Sequence, residues 1–415
     1  MIERQKTNIE QAGALLQKLK HNSSDLGTLL ELQRFLVRRI TAAERAIVRS
    51  KAAAQKLRSS LKRGRHPKNR SAVIKAIIQS AQERVRQYQH LIFIWKCFGD
   101  GIAHLYFDKY ALKHTFYSMQ DYSAKEDSGF LTNKEGFRME WRVVRLAISR
   151  GAPIVLCDIT NVLRHGDVCI ARGNDPFPIE LKSSKNRNSR VDRQLENLRK
   201  LHEFFAKDEA DIRGHQNVKR IEFKDAEVNH TAALNACIQR SYAEGTTIIS
   251  PEPGLYYVSM SGEFDEAMMN SIPIQSCAMF AINGTKTEGV WTPYFPFTLS
   301  LDLDHLYKFI NGEVYLVVCV DLAVIQDRFR SHGVHAKIIN DGTWFLGLKS
   351  RESDSDELMS FVSEHLFLRI PLEFQSLAWF VDVQARLEKE VIEPYRHLND
   401  PPEDHFPRIS AAGDA

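Results

Sequence analysis

Apolar residues recur at near-heptad spacing through the N-terminal part of the chain. Leu29, Leu32, Leu36, Ile40, Ala43, Ile47, Ala54, Leu57 and Leu61 make one stripe, and Val73, Ile77, Ala81, Val85, Tyr88, Ile92 and Trp95 make a second. Such spacing keeps one face of a helix apolar. The segment Gly64 to Asn69, which contains Pro67, breaks the pattern. Two long helices folding back as an antiparallel hairpin are therefore predicted for residues 1–98.

Beyond this hairpin the pattern shortens. Residues 98–132 read as a connecting segment, with Gly99-Asp100-Gly101 and the aromatics Tyr106, Phe107, Tyr110, Phe116 and Tyr117 forming the core that joins the hairpin to the next domain. Residues 135–150 have helical spacing, and 153–158 form an apolar run ending at Asp158, read as a cap or turn residue. Gly166 to Arg172 reads as a strand, Gly173 to Pro176 as a turn and Phe177 to Ser183 as the returning strand. An amphipathic helix is predicted over 190–205, with Leu195, Leu198, Leu201 and Phe204 or Phe205 on its stripe. Arg164 and His165 read as a loop tip or as phosphate contacts.

From residue 251 the texture becomes strand-rich. Apolar runs at 255–260, 277–282, 314–320 and 344–348 are punctuated by Asn283-Gly284, Asn311-Gly312 and Asp341-Gly342, which read as hairpin turns. Helices are predicted at 323–331, 355–367 and 378–390, and Trp291, Tyr294, Phe295 and Phe297 read as packing between strands or as a recognition surface. The resulting division is a helical hairpin at 1–98, an α/β domain at 99–250, an α+β accessory domain at 251–396 and a polar tail at 397–415.

A chain of 415 residues, 43% hydrophobic and 26% charged, has material for two or three domains with their own cores. The net charge of +4 is mild, so any polyanion footprint has to be local. Six cysteines without a CxxC pair argue against a zinc site or a disulfide framework and fit a reducing compartment. No early basic and apolar run marks a signal peptide or a membrane span, so a cytoplasmic protein without a membrane partner is expected.

The candidate chemistry lies on the 166–183 hairpin. Antiparallel pairing about Asn174 places Asp167 opposite Glu180 or Leu181, and strand periodicity puts Glu180 and Lys182 on one face. Two carboxylates and a lysine at one end of a hairpin suit a hard cation, Mg²⁺ or Mn²⁺, with positions left for water and phosphate. Lys182 then orients or deprotonates the attacking water, or neutralises charge in the transition state. Glu140, mid-helix, is a candidate third carboxylate, and Gln194 is placed to face the site. Lys185, Arg187, Arg190 and Arg193 supply a basic stretch for a phosphate backbone.

Glu140 on a helix, Gly166-Asp167 at a strand start, Glu180-Leu181-Lys182 on the next strand and Gln194 on a following helix together resemble the PD-(D/E)XK nuclease superfamily. The resemblance covers residues 130–250 and implies a restriction-endonuclease-like αβββαβ core. It implies metal binding by Asp167 and Glu180 with Glu140 as accessory acid, assistance to the nucleophile by Lys182, and Gln194 as the helix glutamine of RecB-like members. Leu198 stands where those members carry a tyrosine.

About thirteen Lys or Arg lie between Arg34 and Arg70 against the single acid Glu44. This bias reads either as a phosphate-contacting arm, with Arg58, Lys62, Arg63 and Arg65 at its tip, or as a solvated helical face that binds a second copy or another protein. The expectation is a metal-dependent endonuclease acting on nucleic acid, DNA favoured, in a defence setting against phage or plasmid. Its alternatives are an RNA-cleaving enzyme of the same fold and a non-catalytic interaction or sensor protein.

Overall fold

In the computed structural model, residues 1–64, 66–127, 129–181, 189–221, 225–262, 272–273, 276–350 and 360–392 are described. The two N-terminal stripes fold as the long helices α2 (Leu26–Arg63) and α3 (Lys68–Tyr106), and a third helix that neither stripe covers, α1 (Lys6–His21), precedes them. Asp25 caps α2 by accepting from the Thr28 N–H at 2.9 Å. Pro67 stands immediately before α3, where a missing N–H costs no helical bond. The distal ends of the two long helices share a small core of Ala54, Ile74, Ile78 and Ala81, with Leu57 and Leu61 packed on it.

Here the second stripe differs from its sequence reading. Val73 is 58% and Ile77 45% exposed, whereas Ile74 and Ile78 are buried. Ile77 and Ile78 stand four and three residues before Ala81, and Val73 and Ile74 eight and seven, so helical periodicity suits either member of each pair and does not separate them. A second difference is at Gly99-Asp100-Gly101, which continues α3 instead of starting a connector. Gly99 allows the backbone of Ile159 to lie against the helix: a Cβ there would stand 1.9 Å from the Ile159 carbonyl oxygen.

After α4 (Lys109–Phe116) and α5 (Phe137–Ser149) comes an antiparallel sheet of β1 (Ile154–Leu156), β2 (Val168–Arg172) and β3 (Asp175–Ile179), in that order. Pairing of Val168 with Ile179 and of Arg172 with Asp175 gives a hairpin where one was expected, but its turn is only Gly173, at φ +72°, and Asn174, so Asp175 and Pro176 belong to β3, which ends at Ile179, short of Glu180 and Leu181. Next, α6 (Ser189–Lys207) buries Leu198, Leu201 and Phe204 and leaves Leu195 37% exposed. β4 (Glu209–Ile212) and β5 (His215–Lys219) form a separate two-stranded ribbon.

Two compact units are present. The first comprises Met1–Glu222, Met260–Gly262 and Ala281–Tyr315, the second Phe223–Ser259, Glu263–Phe280 and Leu316–Ala415. In the first, the helix Leu303–Asn311 lies on α1, with Leu303 2.6 Å from where a Cβ on Gly13 would stand. The second holds, apart from the end residues Met260, Ala281 and Tyr315, the sheet β6 (Thr246–Glu252), β7 (Leu255–Met260), β8 (Cys277–Ala281) and β9 (Tyr315–Asp321), ordered β6-β7-β9-β8. It also holds β10 (Val334–Ile338), β11 (Trp344–Ser350) and β12 (Ser360–Ser363).

Of the three turns expected here, Asp341-Gly342 lies in the β10–β11 hairpin. Asn283-Gly284 lies instead in a 3-10 turn, and Gly312, at φ +83°, ends the helix Leu303–Asn311. An Asn-Gly pair offers a left-handed residue, which helix C-caps use as readily as hairpins do. Within the 355–367 stretch, Ser360–Ser363 is β12 and the helix spans only Glu364–Phe367, while 351–359 lie outside the described residues. Tyr294 and Phe297 are buried, as expected of packing aromatics. No helix of the described residues is long and apolar enough to cross a membrane.

Candidate functional site

Three short segments carry carboxylates to one point. Glu140 lies in the first turn of α5, and Asp158 lies in a 3-10 turn at Cys157–Ile159 directly after β1. Asp167 immediately precedes β2, where its N–H donates to the Ile179 carbonyl at 2.8 Å. Gly166, at φ +76°, permits this approach, since a Cβ there would lie 2.9 Å from the Ile179 backbone. Gly136 plays a similar part at the start of α5, where a Cβ would come within 2.9 Å of Glu140 Oε1.

What joins the three acids is Lys134. Its Nζ lies 2.9 Å from Glu140 Oε1, 2.8 Å from Asp158 Oδ2 and 2.9 Å from Asp167 Oδ1. An ammonium has three N–H donors, so this arrangement commits all of them. Asp167 Oδ2 accepts from the Leu181 N–H at 2.8 Å, which draws the chain beyond β3 toward the site. Glu140 Oε2 is buried and has no hydrogen-bond partner.

Electrostatics follow from this count. Burial disfavours the Lys134 ammonium, but Asp158 and Asp167 outweigh burial and hold its pKa above the ordinary lysine value. Burial pushes the Glu140 carboxyl up to about 7, and the charges of Asp167 and Asp158 add to that against the opposing hydrogen bond from Lys134. One ammonium does not neutralise three ionised carboxylates, so the cluster keeps an excess of negative charge that favours a second proton or a more highly charged cation.

The long helices hold these segments in place through buried polar side chains. Gln33 of α2 spans the edge of β1, donating from Nε2 to the Ile154 carbonyl and accepting from the Leu156 N–H, both at 2.9 Å. Glu44 of α2 accepts from the N–H groups of Leu131 and Thr132, each at 2.9 Å, and from the Thr132 hydroxyl, fixing the turn that leads to Lys134. Asp100 of α3 accepts from the Asn161 N–H at 2.7 Å, the Val162 N–H at 3.0 Å and the Asn161 side-chain amide at 2.7 Å. Burial pushes Asp100 up to about 7.

Neither family models, nor curated proteins, nor solved structures give a match to this chain. Among the described residues, no three or more His, Cys, Asp or Glu side chains form a ready metal cage. The carboxylate oxygens are spaced by the ammonium they share, at distances longer than the ~2.0–2.6 Å of Mg²⁺ or Ca²⁺ ligation. The donor chemistry nevertheless suits a hard cation, with three carboxylates from separate segments and one buried oxygen left over.

Of the residues singled out in the sequence, Glu140 and Asp167 meet in this cluster. Glu180 is half-buried just past β3, beside the Leu181 N–H that Asp167 holds. Gln194 is half-buried in the second turn of α6, and Leu198 is buried four residues on. Lys182, Lys185, Arg187 and Arg65 lie outside the described residues, as does the side chain of Arg190. Arg58, Lys62 and Arg63 are exposed near the end of α2, and Arg193 is exposed on α6.

Two readings are corrected. Asp158 is not merely a turn residue, because its carboxylate faces Lys134. Arg164 and His165 are not an exposed tip: His165 is 1% exposed and bonds the Tyr117 carbonyl, and Arg164 donates to the carbonyls of Asn161 and Lys125. Sequence reasoning also missed Lys134, Gln33, Glu44 and Asp100. Glu44 did carry a signal, because a lone acid inside a long basic stretch is a candidate for an inward-facing anchor.

Proposed function

We propose that the chain is a divalent-metal-dependent nuclease that hydrolyses phosphodiester bonds, with DNA the favoured substrate. The observation that carries this reading is the convergence of Glu140, Asp158 and Asp167 on one cationic position at the end of the β2–β3 hairpin. The succession α5, β1, β2, β3, α6, β4 supports a restriction-endonuclease-like core because it follows the αβββαβ order. The separate β4–β5 ribbon departs from a single continuous sheet.

Asp167 and Glu140, with Asp158 and Glu180 beside them, would hold Mg²⁺ or Mn²⁺. Such an ion supplies Lewis-acid stabilisation of the phosphoryl oxygens and lowers the pKa of a bound water. Buried carboxylates that cannot relax keep the site organised before substrate arrives. Arg193, with Lys185, Arg187 and Arg190, would guide the phosphate backbone, and Arg58, Lys62 and Arg63 on α2 would extend the footprint. A role in defence against foreign nucleic acid is part of the proposal and rests on analogy with nucleases joined to accessory regions.

One observation favours a second reading. Lys134 pairs with all three carboxylates, as it would in an ion cluster that serves only to fix the fold. Incubating the purified full chain with supercoiled, linear and single-stranded DNA and with RNA, in Mg²⁺ or Mn²⁺ and in EDTA, separates the two. Metal-dependent cleavage of any of these substrates supports the nuclease reading, and preference for RNA would change the substrate. Intact substrates in every lane would leave the structural cluster as the better account.

A further inference from the structure

Lys134 differs from the acids that it joins. The side chains of Glu140, Asp158 and Asp167 are 2%, 4% and 12% exposed, whereas that of Lys134 is 29% exposed. The lysine reaches into the cluster from the solvent side, on a flexible four-carbon stem, and the carboxylates form the wall. Its backbone sits directly after a 3-10 turn that Glu44 holds, so the stem can swing while its anchor stays fixed. All three ammonium donors are committed, yet Glu140 Oε2 remains buried without a partner. The lysine thus satisfies the cluster incompletely. A divalent ion has twice the charge and takes six or more oxygen ligands, so it has a use for the oxygen that the ammonium leaves over.

We propose that Lys134 is a tethered stand-in cation: its ammonium occupies the shared carboxylate position in the metal-free protein and must withdraw before a divalent ion binds there, with Asp158 among the ligands. This inference rests on the metal-dependent reading of the same site. Lys134 sets the ion concentration at which the site loads, because apparent affinity falls by the fraction of molecules in which the competing ammonium is seated. The exchange is one of cations only, and no covalent bond is made or broken.

The test is Mn²⁺ binding to the full chain, followed by the electron paramagnetic resonance of free Mn²⁺, for wild type, Lys134→Met and Lys134→Gln. Both variants are expected to bind at least about tenfold more tightly than wild type, since each removes the competing charge. Mn²⁺ should also raise their melting temperatures more than it raises that of wild type. Adding Asp158→Asn to Lys134→Gln should weaken binding again. Lys134→Gln retains an amide donor for the carboxylates and decides the matter if Lys134→Met does not fold. Equal or weaker Mn²⁺ binding in the folded Lys134 variants overturns the inference, even if the wild type cleaves nucleic acid. Tighter binding without cleavage of any substrate upholds the inference about Lys134 and overturns the nuclease reading instead.

Discussion

Glu44 and Asp100 show how single buried side chains position a site they do not enter. Glu44 is 3% exposed and satisfies two backbone N–H groups of the turn before Lys134. Leaving those donors unsatisfied costs about 1–3 kcal/mol. Glu44→Ala should therefore lower stability by that amount and speed hydrogen exchange at the Leu131 and Thr132 amides. Unchanged exchange at those two amides would contradict the role given to it. For Asp100 the sign follows from its carboxyl being pushed up to about 7 from an ordinary 3.8. The folded state keeps a proton that the unfolded state releases, so this contribution is full below about pH 4 and declines as pH rises toward 7. The slope is at most about 1.4 kcal/mol per pH unit. Asp100→Asn cannot deprotonate, and it sets an amide donor against the Asn161 amide. Its melting temperature should lie below that of wild type at pH 5, with the gap narrowing by pH 7. A gap that stays constant would argue against a raised Asp100.

Elements that repeat a pattern were legible in the sequence, and elements fixed by distant partners were not. The hairpin of α2 and α3 follows from its stripes and Pro67, and the β2–β3 hairpin follows from Gly173-Asn174 between apolar strands. The sequence also marked Glu140 and Asp167, because each stands at a recognisable place on an element. Lys134 directly follows one 3-10 turn and Asp158 lies in another, and the course of both depends on Glu44, Asp100 and Gly99, contacts made across tens of residues that no local period records. Gly99 gives a test at this scale. In Gly99→Ala the new methyl meets the Ile159 carbonyl at 1.9 Å, so α3 and the loop bearing Asp158 must separate. The expected loss is about 1–3 kcal/mol or more, the usual cost of overpacking. Thermal melting at or above the wild-type temperature would contradict that close approach.

At the scale of the whole molecule, each compact unit is assembled from separated stretches of sequence. The first draws in residues 281–315, where Leu303 and Leu306 cover Gly13 of α1, Lys20 donates to the Leu299 carbonyl at 2.9 Å and the Thr298 hydroxyl donates to the Cys97 carbonyl at 3.1 Å. A contiguous division at 98 and 250 does not express this interleaving, and α3 runs unbroken through residue 98. A chain ending at residue 222 should lose at least about 3 kcal/mol, comparable to emptying one core position, and should melt lower or precipitate. Melting like that of the full chain would show residues 281–315 to be dispensable. The nuclease assignment itself is tested most directly by the initial rate of supercoiled-plasmid cleavage in Mg²⁺, with wild type and Asp167→Asn side by side. The account predicts cleavage by wild type that EDTA abolishes, and a rate at least about a hundredfold lower in a folded Asp167→Asn, from loss of a charge that acts in the transition state. Equal rates in the two proteins, or none in wild type, would contradict it.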